Sequence, residues 1–109
     1  MQDLYYPKYE TREIYDMHKL PSGGYGGLLS IVLKPEYSHE AFYDNLACAK
    51  GPSLGTNFTL CSPYTILAHF EELDWAEKYG VSRKLIRVSV GMEDETQLIR
   101  MFGHALEKA

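Results

Sequence analysis

Six residues near the end of the chain, Leu85-Ile86-Arg87-Val88-Ser89-Val90, restrict the fold more than any other segment. Neighbouring side chains of a strand point to opposite faces, so Ile86, Val88 and Val90 fall on one side and Leu85, Arg87 and Ser89 on the other. Such a strand needs a sheet with one oily face and one face that admits a guanidinium. A second strand is predicted from Leu28 to Leu33, rich in branched apolar residues and ended by Lys34-Pro35.

Helices fill the intervals. Ser38 offers an N-cap to a helix over His39 to Ala47, with Phe42, Tyr43 and Leu46 on one side, and the helix stops before Gly51-Pro52. Residues 51–62 mix turn formers with small polar side chains and predict a short strand entering and leaving a loop, with backbone near Ser53 open to a ligand. Residues 64–79 suit one or two helical pieces closed by Gly80. Asp94 can cap a last helix whose Leu98, Met101, Phe102 and Ala105 form a stripe for the sheet. This order of elements in 109 residues predicts one core and an α+β fold: a small, mostly antiparallel sheet covered on one face by helices.

Ahead of that domain, residues 1–20 carry Tyr5, Tyr6, Tyr9 and Tyr15 among charges, without a helical or strand period. They read as an arm that either folds back on its own domain or connects to another domain or subunit. The run Pro21-Ser-Gly-Gly-Tyr-Gly-Gly27 is a loop, since glycines tolerate positive φ and close backbone approach. It is not a dinucleotide fingerprint, because Leu29 stands where the third glycine belongs and a strand, not a helix, follows.

Several function classes drop out on composition. A formal charge of −4 without a Lys/Arg stripe gives no footprint for nucleic acid. No apolar run approaches the ~18 residues needed to cross a bilayer, and Met1 is followed by charged and aromatic residues rather than an export signal, so the expected compartment is the cytoplasm. Cys48 and Cys61 are too few for a disulfide framework and are not spaced as CxxC; they read first as small apolar residues in a reducing compartment. His18, His39, His69 and His104 are scattered, without HExxH or a Cys/His cluster, so no metal is expected.

Among groups that could carry chemistry, Arg87 is singled out because it interrupts an apolar strand beside Ser89, and a guanidinium can hold a carboxylate bidentately. Alternatively it reaches solvent from an edge strand, or pairs with Glu93 or Asp94. No GxSxG elbow is present. Glu71, Glu72 and Asp74 read as a solvated helix face, with His69 on the same stretch either a pocket residue or a packed one.

The segment Leu85-Ile-Arg-Val-Ser-Val-Gly-Met-Glu-Asp94 closely resembles a signature of the Cys/Met-metabolism PLP enzymes, which include cystathionine gamma-synthase and the cystathionine and methionine lyases. Gly24-Tyr-Gly-Gly-Leu-Leu-Ser30 and Pro52-Ser-Leu-Gly55 resemble two further blocks in the family's order, Pro63 and His69 follow at similar spacing, and Gly51 to Asp94 is similar to the fungal cystathionine gamma-synthase branch. Phe58 stands where many members have a glutamate. The resemblance implies that residues 21–109 are the C-terminal small domain of a fold-type I PLP enzyme, that Arg87 binds the α-carboxylate of the amino-acid substrate, and that the backbone amide of Ser53 assists. It also implies that the cofactor lysine and phosphate cup lie on residues outside this stretch. No lysine here matches the Schiff-base lysine, so no catalytic, PLP-binding or metal-binding residue is assigned, and inactivity of the isolated chain is expected. The implied reaction is γ-replacement on an O-acylhomoserine by cysteine, with a γ-lyase as the enzymatic alternative. Outside enzymology, the alternative is an interaction module pairing through its arm with a full-length homologue or a second copy.

Overall fold

A computed structural model describes residues 3–109. Strand β1 (Asp3–Tyr5) is followed by helix α1 (Arg12–Asp16), β2 (Leu28–Val32), α2 (His39–Asn45), β3 (Ala49–Lys50) and β4 (Leu60–Ser62). Then come α3 (Tyr64–Ala68), a 3-10 turn (Phe70–Glu72), α4 (Leu73–Lys78), β5 (Ile86–Ser89) and α5 (Glu95–Lys108). The strands form one sheet in the order β1-β2-β5-β4-β3, antiparallel throughout except for the parallel pair β3 and β4.

The last strand of the sequence therefore lies at the centre of the sheet, and its pairing defines both faces. Leu29 and Cys61 lie opposite Val88, and Ile31 lies opposite Ile86; these residues make the apolar face. α2 and α5 close over it, joining Phe42, Leu46 and Ala105 to Ile31, Leu33, Cys61, Ile86 and Val88 in one core, with Met101 and Phe102 packed against it. Phe42 and Phe102 meet at a tilt with ring centroids 6.4 Å apart. Ile86 and Val88 are completely buried, and truncation of such a residue costs about 2–5 kcal/mol. The α+β fold expected from the pattern is the fold the chain adopts.

Local signals account for the helix ends. Ser38 Oγ accepts from the amide of Ala41 at 3.1 Å, and Asp94 accepts from the amide of Gln97 at 3.3 Å, so both predicted caps act as caps. α2 stops two residues before Ala47, since Leu46 is already extended at φ −82° and ψ 108°. The stretch 64–79 breaks at His69 and ends on Gly80, whose φ of +87° suits glycine.

Residues 3–5 had no periodicity to mark them as a strand. Their order comes from β2, whose free edge pairs Asp3 with Val32 and Tyr5 with Ser30. The arm thus folds back on its own sheet. Tyr6 donates its hydroxyl to the carbonyl of Gly26 at 2.8 Å, and Tyr15 packs on Tyr25 with centroids 5.5 Å apart, so the arm also braces the glycine loop. Met17 and Leu20 remain 78% and 74% exposed. No helix among the described residues is long and apolar enough to cross a membrane.

Just beyond β5, Gly91 sits against the backbone of residues 58 and 59. A Cβ there would lie 2.3 Å from the carbonyl carbon of Phe58 and 2.5 Å from the amide nitrogen of Thr59. Gly91→Ala is expected to lower stability by about 1–3 kcal/mol, the ordinary cost of overpacking, as a reduced urea midpoint. An unchanged midpoint would mean that the 58–59 backbone is free to move away.

Candidate functional site

On the face opposite the core, pairing places Tyr5, Ser30, Arg87 and Ser62 in one row across four strands, with Leu28, Ser89 and Leu60 in the next. A cation in the central strand is thus flanked by two serines rather than by apolar side chains. β5 is not an edge, so the option of an edge arginine reaching outward does not apply.

The guanidinium of Arg87 folds over the turn at residues 52–55. Its Nη2 donates to the carbonyl of Pro52 and, at 3.2 Å, to that of Ser53. The ring of Tyr64 lies against the same group, 5.2 Å from Cζ to the ring centroid, an arrangement that favours a flat guanidinium over an ammonium. Nε and Nη1 make no hydrogen bond among the described residues. The cation is consequently oriented with part of its donor set free.

Two residues along the strand, Ser89 takes hold of the other end of the turn, its Oγ accepting from the amide of Gly55 at 2.9 Å. Gly55 has φ +77°, a conformation that glycine adopts without strain. Arg87 and Ser89 therefore grip both ends of one exposed turn from one strand face.

The rest of the loop is fastened to the chain beyond β5. The amide of Met92 donates to the carbonyl of Asn57 at 2.8 Å. Thr59 donates its amide to Glu93 at 2.7 Å and its hydroxyl to the same carboxylate at 2.8 Å, while accepting from the amide of Gly91 at 3.0 Å. The Thr59 amide bond is the main cause that holds the Glu93 carboxyl below the usual glutamate range, and the Thr59 hydroxyl adds to it. Glu93 and Asp94, the two acids considered as partners of Arg87, are thus occupied by Thr59 and by the start of α5.

His69 stands one residue removed from the site. Its ring meets Tyr64 edge-on at 5.9 Å, and its Nδ1 lies 2.6 Å from Glu72. Asp74 and Glu77 pair with Arg83 on the outer surface, in keeping with a solvated acidic face. No cluster of three or more His, Cys, Asp or Glu able to hold a metal occurs among the described residues.

Ser53 and Arg87, widely separated in sequence, are thus brought together, though through the serine's carbonyl. The Ser53 amide donates to no group among the described residues. The roles of Tyr64 and Thr59 were not visible in the sequence. Ser89 carried a signal in its position two residues after Arg87, which places both on one face.

A family model described as "Cys/Met metabolism PLP-dependent enzyme" matches residues 1–107. Cystathionine gamma-synthase of Neurospora crassa is 60% identical over 110 residues, covering 100% of this chain and 18% of that protein. The cystathionine gamma-synthase of Saccharomyces cerevisiae is 46% identical, covering 97% of this chain and 17% of that protein. The crystal structure of cystathionine gamma-lyase from Lactobacillus plantarum complexed with L-serine aligns with a TM-score of 0.82 at 23% identity, over 98% of this chain and 29% of that chain, a likeness of fold. The chain spans less than a fifth of the length of these two curated relatives.

The groups gathered around Arg87 do not fit PLP itself. The turn's own carbonyls, one serine hydroxyl and a tyrosine ring meet there, and among the described residues no lysine is bonded to Arg87 or to the turn.

Because the folded pKa of Glu93 is depressed, its contribution to stability is present above the ordinary glutamate value of about 4.3 and is lost as pH falls through the folded value. Glu93→Gln should lower the neutral-pH urea midpoint and flatten its decline below about pH 4. Parallel declines in variant and parent would show that the Thr59 clasp does not depend on the charge.

Proposed function

The chain belongs to the Cys/Met-metabolism PLP-dependent enzymes, and from that premise we propose that it is the substrate-gripping C-terminal portion of a cystathionine gamma-synthase-like transsulfuration enzyme. In this reading residues 1–20 are the arm and residues 21–109 the domain. The complete enzyme replaces the acyloxy group of an O-acylhomoserine with the sulfur of cysteine, releasing the carboxylic acid, in the cytoplasm, where Cys48 and Cys61 rest as thiols. The synthase names of both fungal relatives favour this over a γ-lyase.

The observation that carries the proposal is Arg87 held over the Pro52–Gly55 turn with donors to spare. Nη2 is shared between two carbonyls, so an end-on bidentate pair with a carboxylate requires it to release one of them. Rotation of the Pro52–Ser53 peptide away from the guanidinium would swing the unengaged Ser53 amide toward the anion. Arg87 and Ser53 then bind and orient the acid end of the amino acid, while PLP, held by residues elsewhere in the family's enzymes, supplies the electron sink.

Replacing Arg87 by Ala in the complete enzyme should reduce kcat/KM for the acylhomoserine by about 10- to 100-fold, as expected for a charge-assisted bond of about 1.5–3 kcal/mol. Arg87→Lys should restore little of it, because an ammonium lacks the planar fork. Unchanged kcat and KM in Arg87→Ala would remove the assigned role.

The exposed Met17 and Leu20 favour a second reading, in which the arm pairs with a full-length homologue or another copy without chemistry of its own. Borohydride trapping separates these possibilities. Incubated with PLP, the 109 residues should yield no reduced lysine adduct and no turnover. Co-elution with a full-length homologue would support pairing, whereas an adduct with turnover would establish autonomous catalysis.

A further inference from the structure

Cys48 and Cys61, thirteen positions apart and unremarkable in the sequence, face each other with their Sγ atoms 3.2 Å apart in one S–H···S contact. Cys61 projects from β4 into the core and is 1% exposed, whereas Cys48, between α2 and β3, is half-buried. A disulfide needs about 2.0 Å between sulfurs, so an approach of about 1 Å would join them. The segment thereby closed, residues 48–61, contains the whole turn that Arg87 and Ser89 hold.

The two thiols are chemically unequal. The Cys61 hydrogen bond favours the Cys48 thiolate and lowers its pKa to about 7, and the ammonium of Lys50 adds to this against partial desolvation. That bond and burial push Cys61 up. A half-buried thiol with a lowered pKa beside a fully buried one is the arrangement of an attacking and a resolving cysteine.

We propose that Cys48 and Cys61 are a peroxide-responsive thiol pair whose intrachain disulfide closes the ring of residues carrying the Pro52–Gly55 turn. Hydrogen peroxide is the oxidant. The Cys48 thiolate attacks one peroxide oxygen; an S–O bond forms, the O–O bond breaks, and the departing hydroxide takes a proton to become water, leaving Cys48 as a sulfenic acid. With the thiolate consumed, Cys61 loses the partner that held its proton. Its sulfur then attacks that of Cys48, the S–S bond forms, the S–O bond breaks, and hydroxide leaves with the Cys61 proton as a second water. An external thiol reverses the bond by exchange. The proposal is independent of the reaction assigned to the site.

The test treats the complete protein with hydrogen peroxide, removes the peroxide with catalase, caps free thiols with excess iodoacetamide in denaturant at about pH 8, and maps the peptides by mass spectrometry. The expected product is one intrachain Cys48–Cys61 peptide pair, lighter by two hydrogens, formed faster in the folded than in the urea-unfolded protein and removed by dithiothreitol. Cys48→Ser should leave Cys61 fully alkylated after peroxide, and Cys61→Ala, which also removes the hydrogen bond that favours the Cys48 thiolate, should give no cross-link and slower oxidation of Cys48. Two capped thiols in the treated parent, or a cross-link only between chains, overturns the proposal. So does equal cross-linking in urea, which would show that the fold contributes nothing.

Discussion

Everything in this domain is arranged around the placement of β5 between β2 and β4. Pairing on both sides satisfies its backbone, and its pleat then sorts its side chains without further choice. Ile86 and Val88 must enter the core that α2 and α5 close, and Arg87 and Ser89 must face the other way. A charged residue in so central a strand is tolerable because hydrogen-bond acceptors and an aromatic ring wait on that side.

From that face the loop between β3 and β4 is fastened at successive points to residues 87–93. Arg87 holds Pro52 and Ser53, Ser89 holds Gly55, Met92 holds Asn57, and Glu93 holds Thr59. The loop is therefore ordered without regular structure of its own, because its cost of ordering is met on folding by these bonds. Tyr64 adds a flat surface that restricts the guanidinium to a few orientations.

Much of this was legible in the residues. Alternation around Arg87 marked a strand with two unlike faces, Ser38 and Asp94 marked helix starts, and Gly80 marked a helix end. What periodicity could not convey was anything decided across the sheet. β1 exists because β2 offers an edge, although Asp3–Tyr5 has no pattern of its own. Tyr64 reaches Arg87 only because β4 runs antiparallel to β5 and turns straight into α3. Glu93 lies near enough to Arg87 in sequence to be its partner, yet it is taken by Thr59, a neighbour in space that no local spacing reveals. The Cys48 and Cys61 contact is hidden for the same reason, since it crosses a parallel pair of very short strands.

The two-residue interval between Arg87 and Ser89 has a consequence for how such a domain can diverge. Inserting or deleting one residue inside β5 would exchange the oily and polar sides of every position beyond the change, stranding valine in water and serine in the core together. Length variation at that point is therefore forbidden even where substitutions are mild. The stretch from Thr56 to Phe58 has no pleat and so no such parity rule, although the Asn57 carbonyl is bonded to Met92 and the Phe58 backbone rests against Gly91. A change of length is less disruptive there than inside β5, because no alternation of faces follows from it.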